Sequence, residues 1–116
     1  MLKLPQPVLV VDNYPVVIQV IGNLLRACGV TDVESAPNAD AALTKLRRGA
    51  FSVVISDWGM EPASGLDLLR SVRLDPKVAS IPFLLMSAAV DGKRAAQAIA
   101  AGADNLHIKP FDKQPA

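Results

Sequence analysis

The sequence predicts an α/β fold, a doubly wound parallel sheet of five strands, and three observations carry that expectation. Short apolar clusters rich in β-branched residues recur along the chain, stretches with helical spacing of apolar residues separate them, and cap-forming polar residues fall at the junctions. With 116 residues, set against roughly 150 per domain, the chain is expected to form a single domain over 1–116.

The first strand is expected at residues 8–11, an unbroken run of Val and Leu. Val16, Val17, Val20, Ile21, Leu24, Leu25 and Cys28 then recur three and four residues apart, which makes one apolar helical stripe. Pro15 suits the first turn of that helix, where no backbone donor is needed, and Gly29 supplies a stop. Residues 31–36 read as the second strand. Asn38 is placed to cap a second helix running to Arg48, with Ala39, Ala42, Leu43 and Leu46 on its buried side.

Residues 51–56 give the third strand. Ser64 and Asp67 have the spacing of a capping box that opens a third helix, closed by Asp75 and Pro76. Residues 81–86 give the fourth strand, Asp91 caps an Ala-rich helix that Gly102 ends, and residues 106–108 give the fifth. Only about five residues follow Phe111, too few for a further helix, so the expected organisation lacks a C-terminal helix. One sheet face would then be covered by the first helix alone, and two readings follow: a second copy, as in a homodimer, or another protein buries it, or the chain is a fragment of a longer protein.

Composition narrows the function. A hydrophobic fraction of 51% with 20% charged residues describes a chain that folds. Twelve Lys and Arg against eleven Asp and Glu leave a net charge of +1, which gives no basic field for nucleic acid. The one cysteine, Cys28, forms neither an internal disulfide nor a Cys/His metal cluster, and it is expected to be a small buried thiol. No apolar run approaches the roughly 18 residues of a membrane span, and the first residues lack a signal-peptide core, so a cytoplasmic protein is expected.

The chemistry is expected where the strands end. In open parallel sheets ligands bind outside the carboxyl ends of the strands, and Asp12 with Asn13, Asp57, Ser87 and Lys109 follow four of the five strands. Two carboxylates held close repel unless a cation lies between them, and Mg²⁺ suits one or two carboxylates, several waters and a phosphate oxygen. An ammonium opposite Asp57 and a hydroxyl nearby complete a receptor for a phosphoryl group on that carboxylate.

Val11, Asp12 and Asn13, the run Ile55, Ser56, Asp57, Trp58, Gly59 and Met60, the run Leu85, Met86, Ser87 and Ala88, and finally Lys109, Pro110 and Phe111 together resemble the CheY-like receiver domains of response regulators. The resemblance implies a flavodoxin-like sheet in the strand order 2-1-3-4-5. It implies a signalling domain rather than an enzyme, one that catalyses only its own phosphorylation and dephosphorylation, with Mg²⁺ as cofactor. The donor would be a histidine kinase or phosphotransfer protein, and the output a further protein contacted directly. Residue by residue, Asp57 resembles the phosphoacceptor, Asp12 an acidic metal ligand, Gly59 the position whose backbone carbonyl completes the metal shell, Ser87 the hydroxyl position and Lys109 the phosphate-pairing lysine. The Lys109–Pro110 bond resembles one that is cis in the family.

Three departures stand out. Asn13 replaces a second acid, although its amide oxygen can accept from a metal-bound water; Leu106 replaces an aromatic switch residue; and the last helix is missing. The rival readings are a pseudo-receiver that docks partners without phosphorylation, favoured by Asn13 and Leu106, and an Asp-nucleophile phosphatase, opposed by Gly59 where that chemistry wants a second Asp. Trp58 is expected to pack beside the pocket, His107 to be structural or solvated, and the Arg47–Arg48 and Lys93–Arg94 pairs to be solvated helix faces.

Overall fold

The computed structural model describes residues 6–88 and 91–108. Its strands are β1 (Val8–Val11), β2 (Val33–Ala36), β3 (Val53–Asp57), β4 (Phe83–Ser87) and β5 (Asn105–Ile108). They form one parallel sheet in the order β2-β1-β3-β4-β5, as the sequence predicts. The helices between them are α1 (Pro15–Ala27), α2 (Ala39–Arg48), α3 (Gly65–Leu74) and α4 (Gly92–Ala101). Lys109, the Lys109–Pro110 bond and the expected absence of a last helix lie outside the described residues.

Alternation along β1 divides the core. Leu9 and Val11 pack with Val54, Phe83, Leu85 and the buried sides of α2, α3 and α4, whereas Val8 and Val10 pack with Met86 and with Val17 and Ile21 of α1. Every residue of β1 is buried, as a central parallel strand covered on both faces requires. Among the described residues α1 is the only helix on its face. A groove of about 330 Å³ opens beside it, between Ile21, Leu24 and Leu25 of the helix and Ile55, Leu84 and Met86 of the sheet.

That groove explains two departures from the sequence pattern. Cys28 is exposed rather than buried, because it follows the last turn of α1 and borders the groove instead of packed core. Val16 and Leu24 of the same stripe are exposed as well, since α1 turns only Val17, Ile21 and Gly22 fully inward.

The caps follow the sequence closely. Asn38 Oδ1 accepts from Ala41 N at 2.8 Å. Ser64 Oγ accepts from Asp67 N while Asp67 Oδ2 accepts from Ser64 N, a reciprocal capping box. Asp91 accepts from Arg94 N, and Gly102 ends α4 in the left-handed conformation at φ 93°. Arg47 is tied rather than merely solvated: its Nε donates to Asp75 Oδ2 at 2.6 Å, joining α2 to the end of α3. That bond, followed by the Lys77 N–H, holds the Asp75 carboxyl below the usual carboxylate range. The link is therefore complete above that range and is lost as the pH falls through the lowered folded value.

Arg73 fastens the end of the sheet where β4 and β5 begin. Its guanidinium donates to the carbonyls of Ala79 and Ile81 at 3.0 and 2.6 Å and to Gly102 O at 2.9 and 2.7 Å. It also meets Asp104 Oδ2, which accepts from Phe83 N at 2.7 Å. One planar fork thus joins the end of α3, the loop before β4 and the C-cap of α4. Replacing it by methionine, Arg73→Met, is expected to cost about 2 kcal/mol in urea unfolding, because several carbonyls lose a charged donor at once. Arg73→Lys, a point charge without the fork, should recover less than half of that.

Candidate functional site at the strand ends

The register of three neighbouring strands builds the site. Val11 pairs with Ser56, and Asp57 pairs with Met86. Asp12 therefore follows β1 beside Asp57, and Ser87 lies one step beyond Asp57 on the other flank. Neighbouring strands lie about 4.8 Å apart, so these three positions form one cluster. All three side chains are buried, with Asp12 fully enclosed, Asp57 6% exposed and Ser87 3% exposed. The sequence places Asp57 and Ser87 just after their strands; they are instead the last residues of β3 and β4. Parallel pairing extends to them because Asp57 and Ser87 have partners in the adjoining strands.

Both acidic residues are held by their local surroundings. Asp12 N donates to Ala36 O at 3.2 Å, and its Oδ1 accepts from Tyr14 N at 3.0 Å in a turn that delivers the chain to Pro15 at the start of α1. Asp57 is fixed through its main chain: its carbonyl accepts from Ser56 Oγ at 3.0 Å, and the next residue, Trp58, donates to Met86 O at 2.8 Å. The start of α3 presses on the same point, where Gly65 N donates to Trp58 O at 2.9 Å. A Cβ at Gly65 would overlap the Asp57 carbonyl oxygen. Sequence reading places Gly65 at a helix start but misses this contact, because nothing local distinguishes a glycine needed for close approach from one that is not.

The loop from β3 to α3 runs along the mouth of the site. A Cβ on Gly59 would lie 3.9 Å from Asp57 Oδ2, so the Gly59 backbone borders that carboxylate. Met60 anchors the loop in the core, and the Glu61–Pro62 bond that follows is cis. Asn13 reaches this loop from the other side: its Nδ2 donates to Pro37 O at 2.8 Å and Glu61 O at 3.4 Å, and its Oδ1 accepts from Glu61 N at 3.0 Å. Trp58 is half-buried beside the pocket as expected, while Arg94 is not the solvated residue the sequence suggests. Its guanidinium lies 5.8 Å from the Trp58 ring centre, which bridges α4 to the residue after Asp57. The two residues are distant in sequence, so no local pattern signals this pair.

The donor set is oxygen. Among the described residues no group of three or more His, Cys, Asp or Glu side chains is placed to hold a metal ion. A cation here would rest on the two carboxylates, a backbone carbonyl and water, a set that fits Mg²⁺ and other hard divalent ions and not Zn²⁺. Leu106 is half-buried and packs against the larger core cluster, and His107 is exposed. No helix among the described residues is long and apolar enough to cross a membrane.

Fold and site together define a doubly wound α/β protein with a buried cluster of two carboxylates and a hydroxyl at its strand ends. The chain belongs to the response regulator receiver domain family, whose model matches residues 8–115. The chemotaxis protein CheY of Pseudomonas aeruginosa is 35% identical over 107 residues, covering 92% of this chain and 86% of that protein. The solved structure of the Vibrio cholerae chemotaxis protein CheY4 superposes with a TM-score of 0.84 at 28% identity, covering 91% of this chain and 88% of the other. A response regulator protein from Burkholderia pseudomallei, solved with a phosphorylated aspartic acid, a calcium ion and citrate, gives a TM-score of 0.79 at 27% identity over 90% of this chain and 60% of that one. The chain is thus a CheY-like receiver domain of the response regulators of two-component signalling, a signalling domain rather than an enzyme in the usual sense.

Gly65→Ala tests the contact that fixes Asp57. The added methyl group must push α3 or the Asp57 carbonyl aside, and overpacking of this kind costs about 1–3 kcal/mol. Urea unfolding should show a loss in that range, and the fluorescence of Trp58, the only tryptophan, should shift in the folded protein. An unshifted spectrum with full stability would show that the helix start is free to yield.

Proposed function

We propose that the domain accepts a phosphoryl group from a phosphohistidine donor onto Asp57, with Mg²⁺ bound by Asp12, Asp57 and the Gly59 carbonyl. The observation that carries this reading is the burial of two carboxylates and a hydroxyl at three adjacent strand ends. Two buried carboxylates side by side are costly unless a cation lies between them. The phosphorylated aspartic acid and calcium ion of the Burkholderia pseudomallei protein support the same chemistry here.

In the transfer, a carboxylate oxygen of Asp57 bonds to phosphorus as the bond from phosphorus to the donor imidazole breaks. The electron pair leaves on that nitrogen, and an acyl phosphate remains. Mg²⁺, when bound, neutralises charge on the phosphoryl oxygens. Ser87 donates a hydrogen bond to one of those oxygens from the β4 side, and Lys109 supplies an ammonium. With Mg²⁺ bound, the amide oxygen of Asn13, which already accepts from Glu61 N, would keep one lone pair with which to accept from a water. Attack of water on phosphorus reverses the state, restoring the carboxylate and releasing inorganic phosphate. Ser87 and Arg94 tie the β4 and α4 side to the pocket, so the new charge redraws the face made by α4 and β5 that a downstream protein reads.

Incubation with acetyl phosphate or phosphoramidate and Mg²⁺, followed by intact mass measurement, tests the proposal. The wild-type chain should gain one phosphoryl group, Asp57→Asn none, and chelation of the metal should abolish the gain. Ser87→Ala should slow the gain by roughly 10²-fold, the usual effect of removing one donor to developing charge. A folded wild-type protein that gains no mass would favour the rival reading, a docking domain that works without phosphorylation, toward which Asn13 points.

A further inference from the structure

We propose that Asn13 is the positioning residue of the cation site: its amide latches the loops after β1, β2 and β3 together and so fixes the Gly59 carbonyl beside Asp12 and Asp57. The inference rests on the reading of those two carboxylates as a divalent-cation site. It turns on three hydrogen bonds from one planar group, donated to Pro37 O and Glu61 O and accepted from Glu61 N. Glu61 is thereby held through its N–H at 3.0 Å and more loosely through its C=O at 3.4 Å, although it lies in a loop and is exposed.

Only an amide can make this set. A carboxylate at position 13 has no donor, and its negative charge would face the Pro37 carbonyl, which Asn13 Nδ2 now meets at 2.8 Å. The opposite amide orientation would set donor against donor at Glu61 N and oxygen against oxygen at Pro37. The amide therefore does what the acid it replaces in the family pattern cannot.

Its consequence reaches the metal shell through two residues. Glu61 is held by Asn13, Met60 is held in the core at 3% exposure, and Gly59 comes next, its backbone beside Asp57 Oδ2. With the loop pinned at both points, the Gly59 backbone is held before a cation arrives, and less order has to be acquired on binding. A site with two carboxylates attracts a cation less than a site with three. Preorganisation then carries a larger share of the affinity.

The test has one arm without metal and one with it. In metal-free wild-type protein the Glu61 amide should be protected from hydrogen exchange despite its exposed loop, and Asn13→Ala should speed its exchange about tenfold while the amides of β1 and β3 keep their protection. An unprotected Glu61 amide in the wild type overturns the latch, and this measurement needs no variant to fold. In the second arm Mg²⁺ is titrated against Trp58 fluorescence. Asn13→Ala removes no charge and should raise the Mg²⁺ Kd about tenfold, with the change in Trp58 emission at saturation retained. An unchanged or lower Kd in a folded variant overturns the positioning role. A wild-type protein that protects Glu61 but binds no Mg²⁺ overturns the cation reading of the site and the positioning role with it, leaving the latch as architecture alone.

Discussion

The register of β3 between β1 and β4 is the constraint on which the site depends. Because side chains alternate along a strand, a slip of one residue would put Ser56 where Asp57 stands and turn Val54 away from the core formed with Phe83 and Leu85. The apolar residues thereby specify the polar ones. Val54, Phe83 and Leu85 are fully buried, and each such side chain contributes about 1.5–3 kcal/mol relative to exposure. No pairing that loses their burial competes with the one that sets Asp12 beside Asp57. Gly65 adds a second restraint from above, since α3 begins against the Asp57 carbonyl and leaves it no room to move toward the helix.

Much of this was legible in the sequence because it is written locally. Asn38, Ser64 with Asp67, Asp91 and Gly102 mark helix boundaries through bonds made within three or four residues, and the structure makes those bonds. Asp12, Asp57 and Ser87 were legible because strands in this topology end on one edge. What escaped depends on partners remote in the chain. Arg94 meets Trp58, and Asn13 meets Pro37 and Glu61, across intervals that carry no periodic signal. Cys28 failed for a related reason: a helical stripe shows which side of α1 is apolar, but not how far the sheet beneath it is covered.

The two ends of the sheet are held by different means. Where β4 and β5 begin, the Arg73 fork and Asp104 bind backbone carbonyls and the Phe83 N–H directly. At the other end the loops carry the polar residues, and short bonds between loops replace a helix-to-helix clamp. Such a division keeps the stable contacts away from the groups that must respond to a change in charge.

Asn13 shows how this division shapes the chemistry. An acid at position 13 would strengthen the attraction for a cation but could not donate to Pro37, and the loop bearing Gly59 would lose one of its two anchors. An amide gives up that charge and keeps the loop in place. In the proposed cation site the balance rests on the burial of Asp12 and Asp57: at low effective dielectric two carboxylates act on a cation more strongly than they would at the surface, so a third charge would be less needed than a fixed third oxygen.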